Sequence, residues 1–365
     1  MVAANRPHPR AGVDYPGSWQ AFLTWFPDDA ACRAYLEQLR WAEGFICPAC
    51  GHVKAWPTAA GRRMCAGCGR QTSVMAGTVF EKTRTPLPTW FAAAWYLTNQ
   101  KQGASALGLQ RVLGLGSYQT AWAMLHKLRR AMVRPDRDRL SGEVEVDETY
   151  VGGVEPGVSG RQTVTKAIVV IAVELHEPRG FGRIRLRQIP DVTSRSLVSF
   201  VRDVVAPGSG VHTDGWGSYL TLPKHGYRHH RTVLSASGDP AHVSMPAVHR
   251  VAALLKRWLL GTYQGSVAPE HLDAYLDEFT FRFNRRTARQ RGLLFHRLME
   301  QAVATAPAPS RSLRPQPNLN ARARVWREVQ PQAAGEAVGG SPGRPGCSLL
   351  TLAAAPQPPL PGGRA

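Results

Sequence analysis

The 365-residue chain sets 45 Lys and Arg against 26 Asp and Glu, a formal charge of +19. A surplus of that size favours polyanionic partners through counterion release, and a chain of this length holds more than one domain. There is no run of eighteen apolar residues, the opening MVAANRPHPRAGVDYPGSW lacks an apolar signal core, and the six cysteines are too few for a disulfide framework. Membrane-spanning and disulfide-stapled classes are therefore set aside, and a cytoplasmic location is expected.

In chain order, residues 1–17 read as a flexible lead-in and 18–43 as one or two helices, the second with an acidic start. Cys47-x-x-Cys50 and Cys65-x-x-Cys68 follow, each pair trailed by a glycine that lets the backbone turn toward the thiolates. Four thiolates at this spacing are what a closed, structural zinc site requires. Cys32 and Cys347 are read as free thiols, and His52 as a weak competitor for the ion.

From Trp90 to Met132 the pattern is helical, with breaks near Gly103 and Gly116. SALGLQRVLGLGSYQTAWAMLHKLRR resembles a helix-turn-helix, with Ser117 as the N-cap of the second helix. Gln119 and Thr120 would then reach base edges, and Lys127, Arg129 and Arg130 phosphates. The plainer alternative is a helical hairpin packing on Trp122 and Leu125.

Val144 to Val151 alternates as a strand, with Glu145 and Asp147 on one face and Val144 and Val146 on the other. Segments 163–175 and 182–190 read as further strands, SRSLVSFVRDVV as a helix, and GVHTD as a short strand ending in Asp214. Another short strand is expected near His229–Leu234, then helices over 246–261 and 269–285. On the first of these, Val248, Val251, Leu255, Trp258 and Leu259 form an apolar stripe flanked by His249 and Lys256, two turns apart. From about Ala306 the chain is rich in Pro, Gly, Ala and Arg, a composition expected to stay disordered.

Taken together, FICPACG…CAGCG, EVEVDETYVGG, HTDGWGSY, LLKRWLLGTYQG and LDEFTFRFNRR resemble a bacterial insertion-sequence transposase of the ISXO2-like kind. Such proteins join an N-terminal zinc ribbon to a DDE core of RNase H-like fold. The resemblance spans roughly residues 15–300 and implies a mixed five-stranded α/β sheet flanked by helices. It divides the chain into 18–82 (helix plus zinc ribbon), 86–135 (helix-turn-helix-like segment), 140–300 (catalytic domain) and a basic tail over 306–365. It implies Mg²⁺ or Mn²⁺ at Asp147, Asp214 and His249, a phosphate contact from Lys256, and backbone contacts from Arg282, Asn284, Arg285 and Arg286. Double-stranded DNA, as element ends and target, would be the partner of a homo-oligomer. One departure stands out: the third ligand in the family is a Glu or Asn, whereas here it is His249, and no Asp or Glu lies between Ala241 and Pro269. Imidazole is softer than carboxylate and uncharged, which favours Mn²⁺, with Glu145 as a compensating charge. Two other readings stay open: a DNA-binding relic without catalysis, and an RNase H-like nuclease acting on hybrids.

Overall fold

A computed structural model describes residues 8–134, 136–153, 163, 166–176, 180–232, 245–264, 267–308 and 313. The tail expected to be disordered lies outside the described residues apart from 306–308 and 313.

The N-terminal third is helical around a small three-stranded sheet. Helices α1 (Trp19–Trp25) and α2 (Asp29–Arg40) begin at Ser18 and Asp28, whose side chains accept from Ala21 N and Ala31 N. Strands β1 (Ala55–Pro57), β2 (Arg63–Cys65) and β3 (Gln71–Thr72) form an antiparallel sheet. Helices α3 (Leu87–Asn99), α4 (Ala106–Leu113) and α5 (Tyr118–Arg130) follow. The Asp29 carboxylate accepts from Leu87 N at 2.8 Å, so the start of α2 also satisfies the start of α3. The lead-in is anchored rather than loose in its second half: Tyr15 is buried, its ring 5.6 Å from that of His296.

A five-stranded sheet occupies the centre of the chain: β4 (Glu143–Val151), β5 (Ala167–Leu175), β6 (Phe181–Ile189), β7 (Gly210–Asp214) and β8 (Arg228–Thr232), in the order β6-β5-β4-β7-β8. The first three strands form an antiparallel meander, while β7 and β8 run parallel to β4. Helix α6 (Ser194–Val204) connects the two halves. This is the RNase H-like arrangement expected from the sequence. Strand β5, between β6 and the central β4, is apolar from Ala167 to Val173 because both its faces are covered.

Helix α6 lies on one face, where Val144, Val146, Val170, Phe200 and Tyr219 share an apolar cluster. On the other face lie α7 (Pro246–Tyr263) and α8 (Pro269–Phe283), with Val169, Ile171, Leu255, Trp258 and Phe279 in a second cluster. All five residues of the α7 apolar stripe are buried, as the periodicity predicts.

Helix α9 (Gly292–Ala304) was not anticipated; it packs with α2 and α3 and completes a third cluster holding Phe22, Phe91, Leu125 and Phe295. The three phenylalanines of α8 divide accordingly. Phe279 and Phe283 face the sheet, whereas Phe281 enters the helical cluster. Two residues along a helix turn the side chain by more than half a revolution, so neighbours in an i, i+2 series cannot all face one partner.

Between the helical cluster and the sheet domain sits a buried ion pair. Arg129 Nε at the end of α5 donates to Glu278 Oε2 of α8 at 2.8 Å, with side chains 2 % and 0 % exposed. Arg129 Nη2 also donates to Ala104 O and to the Tyr263 hydroxyl. Burial alone would lower the Arg129 pKa, but Tyr263 and Glu278 raise it on balance, which keeps the guanidinium charged.

Candidate metal and nucleic-acid sites

The four cysteines come together as their spacing predicts. Cys47 Sγ lies 3.7 Å from Cys68 Sγ, and Cys50 Sγ 3.5 Å from Cys65 Sγ. Sulfurs held about 2.3 Å from one tetrahedral ion stand about 3.8 Å apart, so the quartet fits an ion of that kind. The two knuckles repeat one design. Gly51 N donates to Cys47 O and Gly69 N to Cys65 O, and both glycines sit in left-handed conformation at φ +74° and +70°. Gly67 N points at Cys65 Sγ, and the Ala49 amide leads the causes that bring the Cys47 thiol down to about 6. Cys32, by contrast, is sealed in the helical core, where burial pushes its thiol up to about 12.

The acidic face of β4 is built as the alternation predicts, but its carboxylates have different partners. Glu145 is 4 % exposed and accepts from Val248 N in the first turn of α7 at 2.9 Å. That helix starts with Pro246 and has no side-chain cap of its own. The strand carboxylate therefore serves as its cap, helped by the positive end of the helix dipole. Burial raises the Glu145 pKa, opposed by the Val248 and Ala247 amides. Glu145, expected to lend His249 a compensating charge, is thus the carboxylate that holds the start of α7, the helix that carries His249.

Helix α7, pinned in this way, carries His249 to Asp147, with Nε2 3.9 Å from Oδ2. Asp214 ends the neighbouring strand. The parallel register pairs Glu145 with His212, and two further residues along each strand set Asp147 beside Asp214 on the same face. Asp214 Oδ1 accepts from Trp216 N, which turns the chain away after the strand. Lys256, two turns on from His249, is exposed; partial burial lowers its pKa, and Lys166 adds to the effect. Behind the carboxylates, the Tyr219 hydroxyl donates to Glu148 Oε2 at 2.9 Å from a fully buried ring. Sequence reasoning did not single out Glu148. It differs in parity from Asp147, which placed it on the apolar side of β4, where a buried hydroxyl meets it.

The expected DNA-reading helix has its break where predicted: Gly114 caps α4 in left-handed conformation and α5 begins at Tyr118. Ser117 occupies the N-cap position, but its hydroxyl bonds Gln119 rather than the helix amides. Gln119, Thr120 and Arg130 are exposed. With Lys82, Arg84, Tyr118 and Lys127, the first two line a cavity of about 520 Å³. Lys127 Nζ stands 5.8 Å over the Trp90 ring.

Several expected DNA contacts are engaged within the protein instead. Arg129 is withdrawn from any phosphate by its buried pair with Glu278. Arg282 is largely buried and donates to Leu97 O, and Asn284 exchanges hydrogen bonds with the backbone of Ile184 on β6. Arg285 lies 3.9 Å over the Phe281 ring; Arg286 covers Phe283 and donates to Gly182 O and Phe181 O. FRFNRR thus ties α8 to β6 and α3. Its cations satisfy exposed carbonyls at the helix end, a use of arginine that a charge count does not separate from phosphate binding.

These features define a chain with a four-cysteine ribbon and an RNase H-like sheet domain with paired carboxylates. Residues 27–71 match the transposase zinc-ribbon domain and residues 139–284 the ISXO2-like transposase domain. It is also 28 % identical, over 280 residues, to a Halobacterium salinarum protein described as an uncharacterized protein in transposable element ISH50; the match covers 70 % of this chain and 91 % of the relative. Among the described residues, no helix is long and apolar enough to cross a membrane.

Proposed function

We propose that the chain is the transposase of an insertion sequence, binding the element's terminal repeats and catalysing metal-dependent strand cleavage and strand transfer. The observation that carries this reading is the approach of His249 to Asp147, beside Asp214, within the matched transposase domain. Asp147, Asp214 and His249 would hold Mg²⁺ or Mn²⁺, two hard carboxylates setting the preference and the imidazole shifting it toward Mn²⁺. Bound there, such ions stabilise the attacking and leaving oxygens of an in-line displacement. Through such ions the three side chains would place the scissile phosphodiester at the ends of β4 and β7, and Lys256 would offer its ammonium to a neighbouring phosphate. Water displaces a 3′-oxygen in the first reaction, and the freed 3′-hydroxyl attacks target DNA in the second.

The cysteine quartet would take zinc in a structural role, since four thiolates leave no open position. Gln119, Thr120, Lys127 and Arg130 supply the DNA-facing side of α5, in a cytoplasmic protein that acts as a homo-oligomer on DNA. Residues 18–82, 86–135 and 140–300 form the three working segments. His249 itself favours a second reading, a DNA-binding relic, because the resembled family has Glu or Asn there. The two readings part in one assay: an end-containing oligonucleotide incubated with Mg²⁺ or Mn²⁺ and either wild type or Asp147→Ala. Cleavage by wild type alone is expected. Cutting that persists in Asp147→Ala defeats the metal assignment, and no cutting by either leaves the relic.

A further inference from the structure

On the face that carries Asp147 and Asp214, further back along the strands, lies a second group of ligand-bearing side chains. Glu143, His212 and His230 bring one ligand atom each to within 4.8 Å of one another. They come from three successive parallel strands, β4, β7 and β8. The register pairs Glu143 with Gly210 and His212 with both Glu145 and His230, so all three side chains rise from one face. His212 Nε2 is 2.6 Å from Glu143 Oε2, and the two imidazoles stack at 4.7 Å with their planes 19° apart. Arg228 Nη2 holds the other carboxylate oxygen at 2.8 Å, which orients Oε2 toward the histidines. Gly210 leaves room for this: a Cβ there would collide with the Glu143 carboxylate. None of the three serves the sheet's apolar clusters, and His230 is exposed.

We propose that Glu143, His212 and His230 form a binding site for a divalent cation of the zinc class, distinct from the cysteine quartet and from Asp147, Asp214 and His249. Two imidazoles and one carboxylate suit Zn²⁺, Co²⁺ or Ni²⁺ better than Mg²⁺. Ligands about 2.0–2.2 Å from one tetrahedral ion stand about 3.3–3.6 Å apart, so the ion displaces the proton shared by His212 and Glu143 and opens that 2.6 Å contact by about 0.7–1.0 Å. The fourth position stays open to water. Because its ligands span three strands, the ion clamps the edge strand β8 to β7 and β4, two residues before Asp214. The site does not depend on the transposase reading.

Co²⁺ tests it. The probe is titrated into the full-length protein with its cysteines zinc-loaded and with Asp147→Asn and Asp214→Asn in place, so that neither other site answers. One equivalent of Co²⁺ should bind with visible d–d absorption but without thiolate charge transfer. It should be displaced by Zn²⁺ and should slow hydrogen exchange of the β8 amides. His230→Asn, which alters an exposed side chain, and Glu143→Gln should each abolish that equivalent while leaving the ion-free melting temperature and circular dichroism unchanged. Absence of binding in the parent, binding that survives His230→Asn, or absorption carrying a thiolate charge-transfer band overturns the proposal.

Discussion

The ribbon and the five-stranded domain both contain a small sheet, but they cohere by different means. Strands β1–β3 are two or three residues long, and only Cys65 and Thr72 among their residues are buried. Strands β4–β6 are nine residues each and contribute to two apolar clusters, one on either face. Too little apolar surface lies beneath the ribbon strands to offset their ordering entropy, so the cysteine quartet must supply the difference through an ion. The larger domain has cohesion to spare. It can therefore carry costly features: a buried carboxylate capping a helix, a buried ion pair, and an acidic strand end.

The largest effect that would break this contrast is removal of the ion. Chelation, or Cys65→Ser, forfeits an apparent binding energy of about 10–16 kcal/mol. Amides across 45–72 should then lose hydrogen-exchange protection while those of β5 keep it. Loss of protection in β5 as well would mean that the two regions fold as one unit. Next comes Glu278→Gln, which leaves Arg129 charged and uncompensated at 2 % exposure and should cost about 3–5 kcal/mol in a denaturant melt. A smaller loss would show that the Tyr263 hydroxyl and the Tyr275 ring, 4.7 Å from the guanidinium, suffice to hold it. Below that, His249→Glu should raise Mg²⁺-supported cleavage about tenfold or more relative to Mn²⁺, because a carboxylate adds a hard, charged oxygen donor. An unchanged Mg²⁺-to-Mn²⁺ ratio would separate His249 from the ions.

A further effect concerns pH. Burial, and then Asp273, push the Asp277 carboxyl from 3.8 up to about 7. The folded state thus keeps a proton that the unfolded state has released, and the associated stability is lost as pH rises from 3.8 through 7. Asp277→Asn should therefore match wild type at about pH 4 and melt higher at about pH 8. Equal melting temperatures at both ends would place Asp277 in solvent.

Much of this was legible in the linear chain because it rests on short-range periodicity. The CxxC spacing located the knuckles, alternation placed Val144 and Val146 opposite Glu145 and Asp147, and the apolar stripe of α7 matched the buried residues. Charge was the weak guide. Arg129, Arg282, Arg285 and Arg286 looked like phosphate ligands, yet each is engaged by Glu278, by backbone carbonyls or by aromatic faces. A cation's partner is chosen by what the fold brings within hydrogen-bond range, and that lies 185 residues away for Arg282 and Leu97.

The sequence alone determined the elements of the sheet domain as far as α8, their order, the cysteine knuckles and the parity of the carboxylates on β4, since each follows from local backbone geometry and periods of about 2 and 3.6 residues. Only the tertiary structure decided that Glu145 caps α7, that α9 returns to the N-terminal helices, and that Glu143 meets His212 and His230 across three strands. Those outcomes depend on strand register and helix docking, which are settled by contacts between residues remote in the chain and leave no periodic mark within it.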